Sequence, residues 1–98
     1  MKHVENAKYR LRDLALVSVL VFTGCRLGEA LALTREDLDF DRRTIRIKQQ
    51  KKKQVFYRVV PIPSRLFWIV MDRYLRRKYV IDRLFEISDR QARNIVYK

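Results

Sequence analysis

The sequence predicts a small α+β domain, mostly helical, with an antiparallel β-hairpin or three-stranded sheet set between helices. Three observations carry that expectation. An apolar run with helical spacing occupies residues 10 to 22. Two runs of β-forming residues, Thr44 to Lys51 and Val55 to Ile62, flank a polar tip. A second amphipathic helical pattern then follows Pro61 and Pro63. The 98 residues make one small domain or a piece of a larger one, since single domains most often run to about 100–150 residues.

Taken in order, Met1 to Tyr9 show no periodicity and read as a flexible leader or the end of a preceding helix. In the helix expected over 10 to 22, Leu11, Leu14, Ala15 and Ser18 share one face. Leu16, Val17, Val19 and Leu20 spread apolar surface nearly all round, which calls for burial on most sides. Gly24 breaks the run, and a second helix is expected from 26 to 33, offering Leu27, Ala30 and Leu31 to the core. Thr34 can cap a single turn with Asp37 three residues on. Leu38 and Phe40 alternate with acids, and Asp41-Arg42-Arg43 forms a turn. Beyond it, Ile45 and Ile47 fall on one strand face and Arg46 and Lys48 on the other. The tip Lys51-Lys52-Lys53-Gln54 lacks Gly and Asn, so a longer mobile loop is expected there rather than a tight two-residue turn.

Ser64 can cap a helix over 64 to 78 that carries Leu66, Phe67, Ile69, Val70, Tyr74 and Leu75 and ends in Arg76-Arg77-Lys78. Phe67, Trp68, Tyr74 and Phe85 keep company with aliphatics and read as core. Tyr79 to Ile87 reads as a short extended piece with Leu84 and Phe85 packing, and Ser88 with Gln91 makes a capping box that opens a helix over 89 to 98.

Charge narrows the class of function. Residues 1 to 41 hold six Lys/Arg against seven Asp/Glu, residues 42 to 58 eight against none, and residues 59 to 98 nine against four. The overall excess of +12 is therefore concentrated on the hairpin, the footprint of a polyanionic partner. Nucleic acid is favoured over an anionic membrane, because the basic stretch alternates as a strand and has no apolar helical face. No apolar run is long enough to span a bilayer, and Arg10, Arg12 and Asp13 interrupt any signal-peptide core, so a cytoplasmic protein is expected. Cys25 is the single cysteine and His3 the single histidine, which argues against a metal site and against a Cys-His nucleophile; Cys25 reads as a small buried hydrophobe.

Arg26 stands just after the Gly24 break, where an expected helix N-terminus and a guanidinium together suit a phosphate. Glu29, three residues on, is close enough on a helix to pair with it. The segment Thr23, Gly24, Arg26, Glu29 matches T-G-x-R-x-x-E, and with the hairpin behind it resembles the catalytic domain of the tyrosine recombinases, the phage integrase family. The resemblance implies a partial catalytic fold in which Arg26 binds the scissile phosphate and Glu29 supports the site. It also implies a catalytic lysine at the hairpin tip. Gln49-Gln50-Lys51, followed by Val59-Val60-Pro61-Ile62-Pro63, is similar to the family's pattern; Lys51 is chosen, with Lys53 second. That lysine would act as general acid toward the leaving 5′-hydroxyl while a tyrosine forms a 3′-phosphotyrosyl link, with no metal or nucleotide cofactor. Arg42, Arg43, Arg46, Lys48, Lys52, Lys53 and Arg58 would contact the backbone of double-stranded DNA, and the protein would be nucleoid-associated.

The family's pattern continues with an H-x-x-R box and a nucleophilic tyrosine. No H-x-x-R occurs here, and Tyr9, Tyr57, Tyr74, Tyr79 and Tyr97 all precede the place where that tyrosine would come. The chain thus reads as residues 1–98 of a truncated catalytic domain, inactive alone. It would lack the C-terminal half and an N-terminal DNA-clamping domain, and self-association through uncovered apolar surface is a related expectation. The alternative is a stand-alone, non-catalytic nucleic-acid-binding module or regulator.

Overall fold

The computed structural model describes residues 2–77 and 83–97, with side chains for 10–76 and 83–97. The order of elements is helix α1 (Lys2–Thr23), helix α2 (Leu27–Leu31), a 3₁₀ turn (Arg35–Asp37), strands β1 (Leu38–Asp39), β2 (Thr44–Lys51) and β3 (Gln54–Pro61), then helices α3 (Arg65–Arg77) and α4 (Asp89–Val96). The strands form one antiparallel sheet in the order β1-β2-β3, which makes this the small α+β fold with a three-stranded sheet that the sequence predicts. Lys78 and residues 79–82 of the expected extended piece lie outside the described residues.

Helix α1 begins at Lys2 rather than at Arg10. Ala15, Leu16 and Val19 are buried and Leu11 and Leu20 pack against the core, but Leu14, Val17, Val21 and Phe22 are exposed. Burial on most sides is therefore not what this chain provides: its other elements cover one face of α1. Helix α3 runs back along that face. Phe22 near the end of α1 meets Phe67 near the start of α3 (centroids 5.4 Å apart), and Arg12 is near enough to Tyr74 to act on its phenol.

The core holds Phe67, Trp68, Met71, Tyr74 and Leu75 of α3 against Ile45 and Ile47 of β2, with Leu84, Phe85 and Ala92 closing the far side. The four aromatics assigned to the core are all buried. Trp68 Nε1 donates to the Ile62 carbonyl (2.8 Å) and Tyr74 Oη to the Leu84 carbonyl (2.7 Å), so each ring is buried with its polar tip satisfied. Leu84 N–H donates to the Leu33 carbonyl (2.8 Å), tying the segment before α4 to the end of the α2 region. Ser64 Oγ accepts from Phe67 N–H, and Ser88 and Gln91 exchange reciprocal bonds of 3.0 and 3.1 Å, as capping chemistry requires.

The hairpin tip differs from expectation. Lys51 pairs with Gln54, leaving a two-residue loop, and Lys52 takes a φ of +56°. A tight loop joining these strands needs a left-handed residue, and without Gly or Asn a lysine adopts it at a cost of about 1–2 kcal/mol. Eight paired residues on each strand, in register from Thr44↔Pro61 to Lys51↔Gln54, hold the turn closed against that strain.

Burial pushes the Tyr74 phenol up to about 12, from an ordinary value of 10. The folded chain thus holds this proton more tightly than the unfolded one. The resulting stability is full below the unfolded value and is lost as pH rises through the folded one, a decline of about 2 kcal/mol between roughly pH 10 and 12. Urea midpoints for the native chain and Tyr74→Phe should therefore converge as the pH is raised from about 9 to 11.5, Phe being unable to ionise.

Candidate nucleic-acid interface

The junction between α1 and α2 is built by three small residues. Thr23 Oγ1 donates to the Val19 carbonyl (2.6 Å) and accepts from Cys25 N–H (3.1 Å). Gly24 adopts φ +67° and its N–H bonds the Leu20 carbonyl (2.9 Å), an αL cap that only a residue without Cβ reaches free of strain. The chain is thereby turned so that Cys25 is buried while Arg26 is exposed. Burial raises the Cys25 thiol above its ordinary value; the Thr23 hydrogen bond and Arg58 pull the other way, and Glu29 adds to the rise. A protonated, covered thiol suits packing, not nucleophilic attack.

Arg26 is the N-cap of α2, in extended conformation (φ −78°, ψ 155°). Its backbone N–H donates to Glu29 Oε1 at 2.8 Å. Glu29 therefore braces the main chain of Arg26 rather than neutralising its guanidinium, which makes no ion pair among the described residues. Helix α2 spans five residues instead of the eight expected from 26 to 33, because Leu33 leaves the helix to be buried and to bond Leu84. So short a helix has a weak dipole, and attraction for an anion here comes mainly from the guanidinium itself.

Arg26, Gly28, Glu29 and Ala32 form one wall of an open groove of about 310 Å³, and Lys48 and Gln50 of β2 form the other. Strand alternation explains the second wall. Lys48 and Gln50 stand on the face opposite Ile45 and Ile47, whereas Lys51 shares the parity of those two and lies past their buried end, exposed. Lys51 is the last residue of β2 and does not line the groove; Lys53 sits in the two-residue tip. All eight Lys/Arg between 42 and 58 are exposed. Arg42 and Arg43 lie in the turn before β2, where Asp39 Oδ1 accepts from Asp41 and Arg42 N–H (3.1 and 3.0 Å) and Arg43 takes φ +54°.

Two residues of this region take on roles beyond those the sequence shows. Asp37 Oδ2 accepts from Thr34 N–H (2.9 Å) and its hydroxyl (3.2 Å), while Oδ1 accepts from Arg46 Nε and pairs with Nη2, both at 3.0 Å. The Arg46 guanidinium carbon lies 4.9 Å from the centroid of the Tyr57 ring. The capping role of Asp37 is local and legible at three-residue spacing; its second role, like that of Tyr57, depends on how the strands are brought together.

The exposed, braced Arg26 thus stands across a groove from Lys48 and Gln50 of the basic hairpin, and the model of the phage integrase family matches residues 1–95. The chain belongs to the phage integrase family. It is an integrase-type, site-specific recombinase domain, and the family points to DNA as its partner. No curated protein and no solved structure matches it. In this integrase-family chain no helix among the described residues is long and apolar enough to cross a membrane.

Proposed function

We propose that this chain supplies the phosphate-binding half of a tyrosine-recombinase centre and holds double-stranded DNA through its basic hairpin. The observation that carries this is the groove in which Arg26, whose guanidinium meets no carboxylate among the described residues, faces Lys48 and Gln50 of β2, in a hairpin that with its preceding turn holds eight cations and no acid between residues 42 and 58. Arg26 would take the scissile phosphate bidentately, with Glu29 keeping the backbone at Arg26 in its extended cap conformation. Lys51, or Lys53 in its place, would protonate the leaving 5′-hydroxyl; both are exposed on the hairpin and reach outward from its end. Arg42, Arg43, Lys48, Lys52, Lys53 and Arg58 would neutralise backbone phosphates without reading bases.

The role proposed for these 98 residues is to bind DNA and its phosphate; no nucleophile is assigned among their tyrosines. In the cell the chain would act at the nucleoid. A stand-alone binding module is the second reading, resting on the basic stretch alone, and the two readings part on one comparison. Fluorescence anisotropy with a labelled duplex should show Arg26→Ala weakening binding about tenfold, the loss of one charge-assisted contact. The Lys52→Glu/Lys53→Glu double variant should weaken it as well. If the hairpin variant loses affinity while Arg26→Ala binds as the native chain does, the recombinase reading of Arg26 fails and the binding-module reading stands.

A further inference from the structure

Arg46 differs from every other cation of the hairpin: among the described residues it is the one between 42 and 58 that holds an ion pair. We infer that Arg46 is a positioning residue, a strut that fixes the hairpin to the 3₁₀ turn that follows α2, and not a phosphate contact. What it positions rests on the DNA-binding reading above; the strut itself stands on its own geometry.

The geometry is closed at both ends. The Asp37 side chain is 10% exposed and both its oxygens are engaged, one by Thr34 and the other by Arg46. The carboxylate cannot swing toward solvent without abandoning the Thr34 N–H it caps. On the far side, the guanidinium rests against the ring of Tyr57, which stands opposite Lys48 in the register and on the same sheet face as Arg46. A single side chain thus links the turn after α2, strand β2 and strand β3. Lysine could not replace it, since the contact uses two N–H groups of a planar fork and a flat cation on an aromatic face. Lys48, two residues on and on the same face, is exposed and holds no ion pair. A cation already neutralised by a carboxylate displaces no counterion from DNA, so its removal leaves the salt dependence of binding untouched.

Two measurements on the 98-residue chain test this. In ¹⁵N spectra of arginine side chains, Arg46 Nε–H should be protected from exchange and should shift in Asp37→Asn and in Tyr57→Leu. In duplex binding, Arg46→Gln should lower affinity yet keep the native slope of log Kd against log salt, whereas Lys48→Gln should reduce that slope by about 0.9. Arg46→Lys should behave as Arg46→Gln does, showing no rescue by retained charge. The inference is overturned if Arg46→Gln lowers the slope by about 0.9 and Arg46→Lys restores affinity. Should the native chain bind no duplex at all, the DNA reading falls and the spectra decide alone: an Arg46 Nε–H that exchanges freely and ignores Asp37→Asn removes the strut.

Discussion

Raising the salt from about 50 to 200 mM is expected to weaken binding of this chain to a DNA duplex about a thousandfold. Between residues 42 and 58 there are eight Lys/Arg and no acid, and Arg46 is engaged by Asp37, which leaves seven exposed cations on one small hairpin and its flanking turn. If about six of these neutralise phosphates, log Kd should change with log salt at a slope near 5 in magnitude. The acids of the chain lie outside this stretch, seven before residue 42 and four after residue 58; Asp37 and Asp39 stand beside Arg46 and Arg42 and offset part of the field there, which leaves the tip lysines its main source. Scrambled duplexes of equal length should bind with similar affinity, because cations on a strand and a turn contact backbone and carry no base code. A slope shallower than about 2, or strong preference for one duplex, would sink the hairpin as a backbone clamp.

The second large effect concerns what holds that hairpin in place. Phe67→Ala is expected to destabilise the fold by about 3–5 kcal/mol, a large share of the 5–15 kcal/mol available to a domain. Phe67 is 1% exposed and stands between two aromatic partners, edge-on to Phe22 at 5.4 Å and to Trp68 at 5.0 Å, while Trp68 in turn meets Phe40 at 5.0 Å. This chain of rings joins α1 to α3 and α3 to the turn at the end of β1. Removing its central member opens a cavity that the rigid neighbours cannot close. Phe22→Ala is the control: 44% of Phe22 is exposed, so its loss should cost no more than about 1–2 kcal/mol. Urea unfolding followed by Trp68 fluorescence measures both. Equal costs for the two variants would show that the rings do not form one continuous support.

Much of this architecture was legible in the sequence because its causes are local. Caps act across three residues, so Thr34 with Asp37, Ser64 with Phe67, and Ser88 with Gln91 could be read directly. Alternation with period two set the faces of β2 before any partner was known. The break at Gly24 marked where an exposed arginine would emerge, and the family was visible in the residues around it. Where local signals gave out, they did so for physical reasons. The tip reads as too poor in glycine for a tight turn, yet long strand pairing outweighs the strain of one left-handed lysine. Helix α2 stops early because Leu33 is drawn into the core and bonded by Leu84, a residue fifty-one positions away.

By itself, then, the sequence determined the fold class, the placing of charge on the hairpin and the emergence of an arginine after the Gly24 break, since each follows from spacing or composition within one segment. Tertiary structure alone decided which cation meets which surface. Lys48 rather than Lys51 shares the groove with Arg26, Glu29 braces a backbone instead of a guanidinium, and Arg46 is claimed by Asp37 and Tyr57. Contacts between segments far apart in the chain depend on the register of two strands and the seat of α2 beside them, and neither is written in the periodicity of any one stretch.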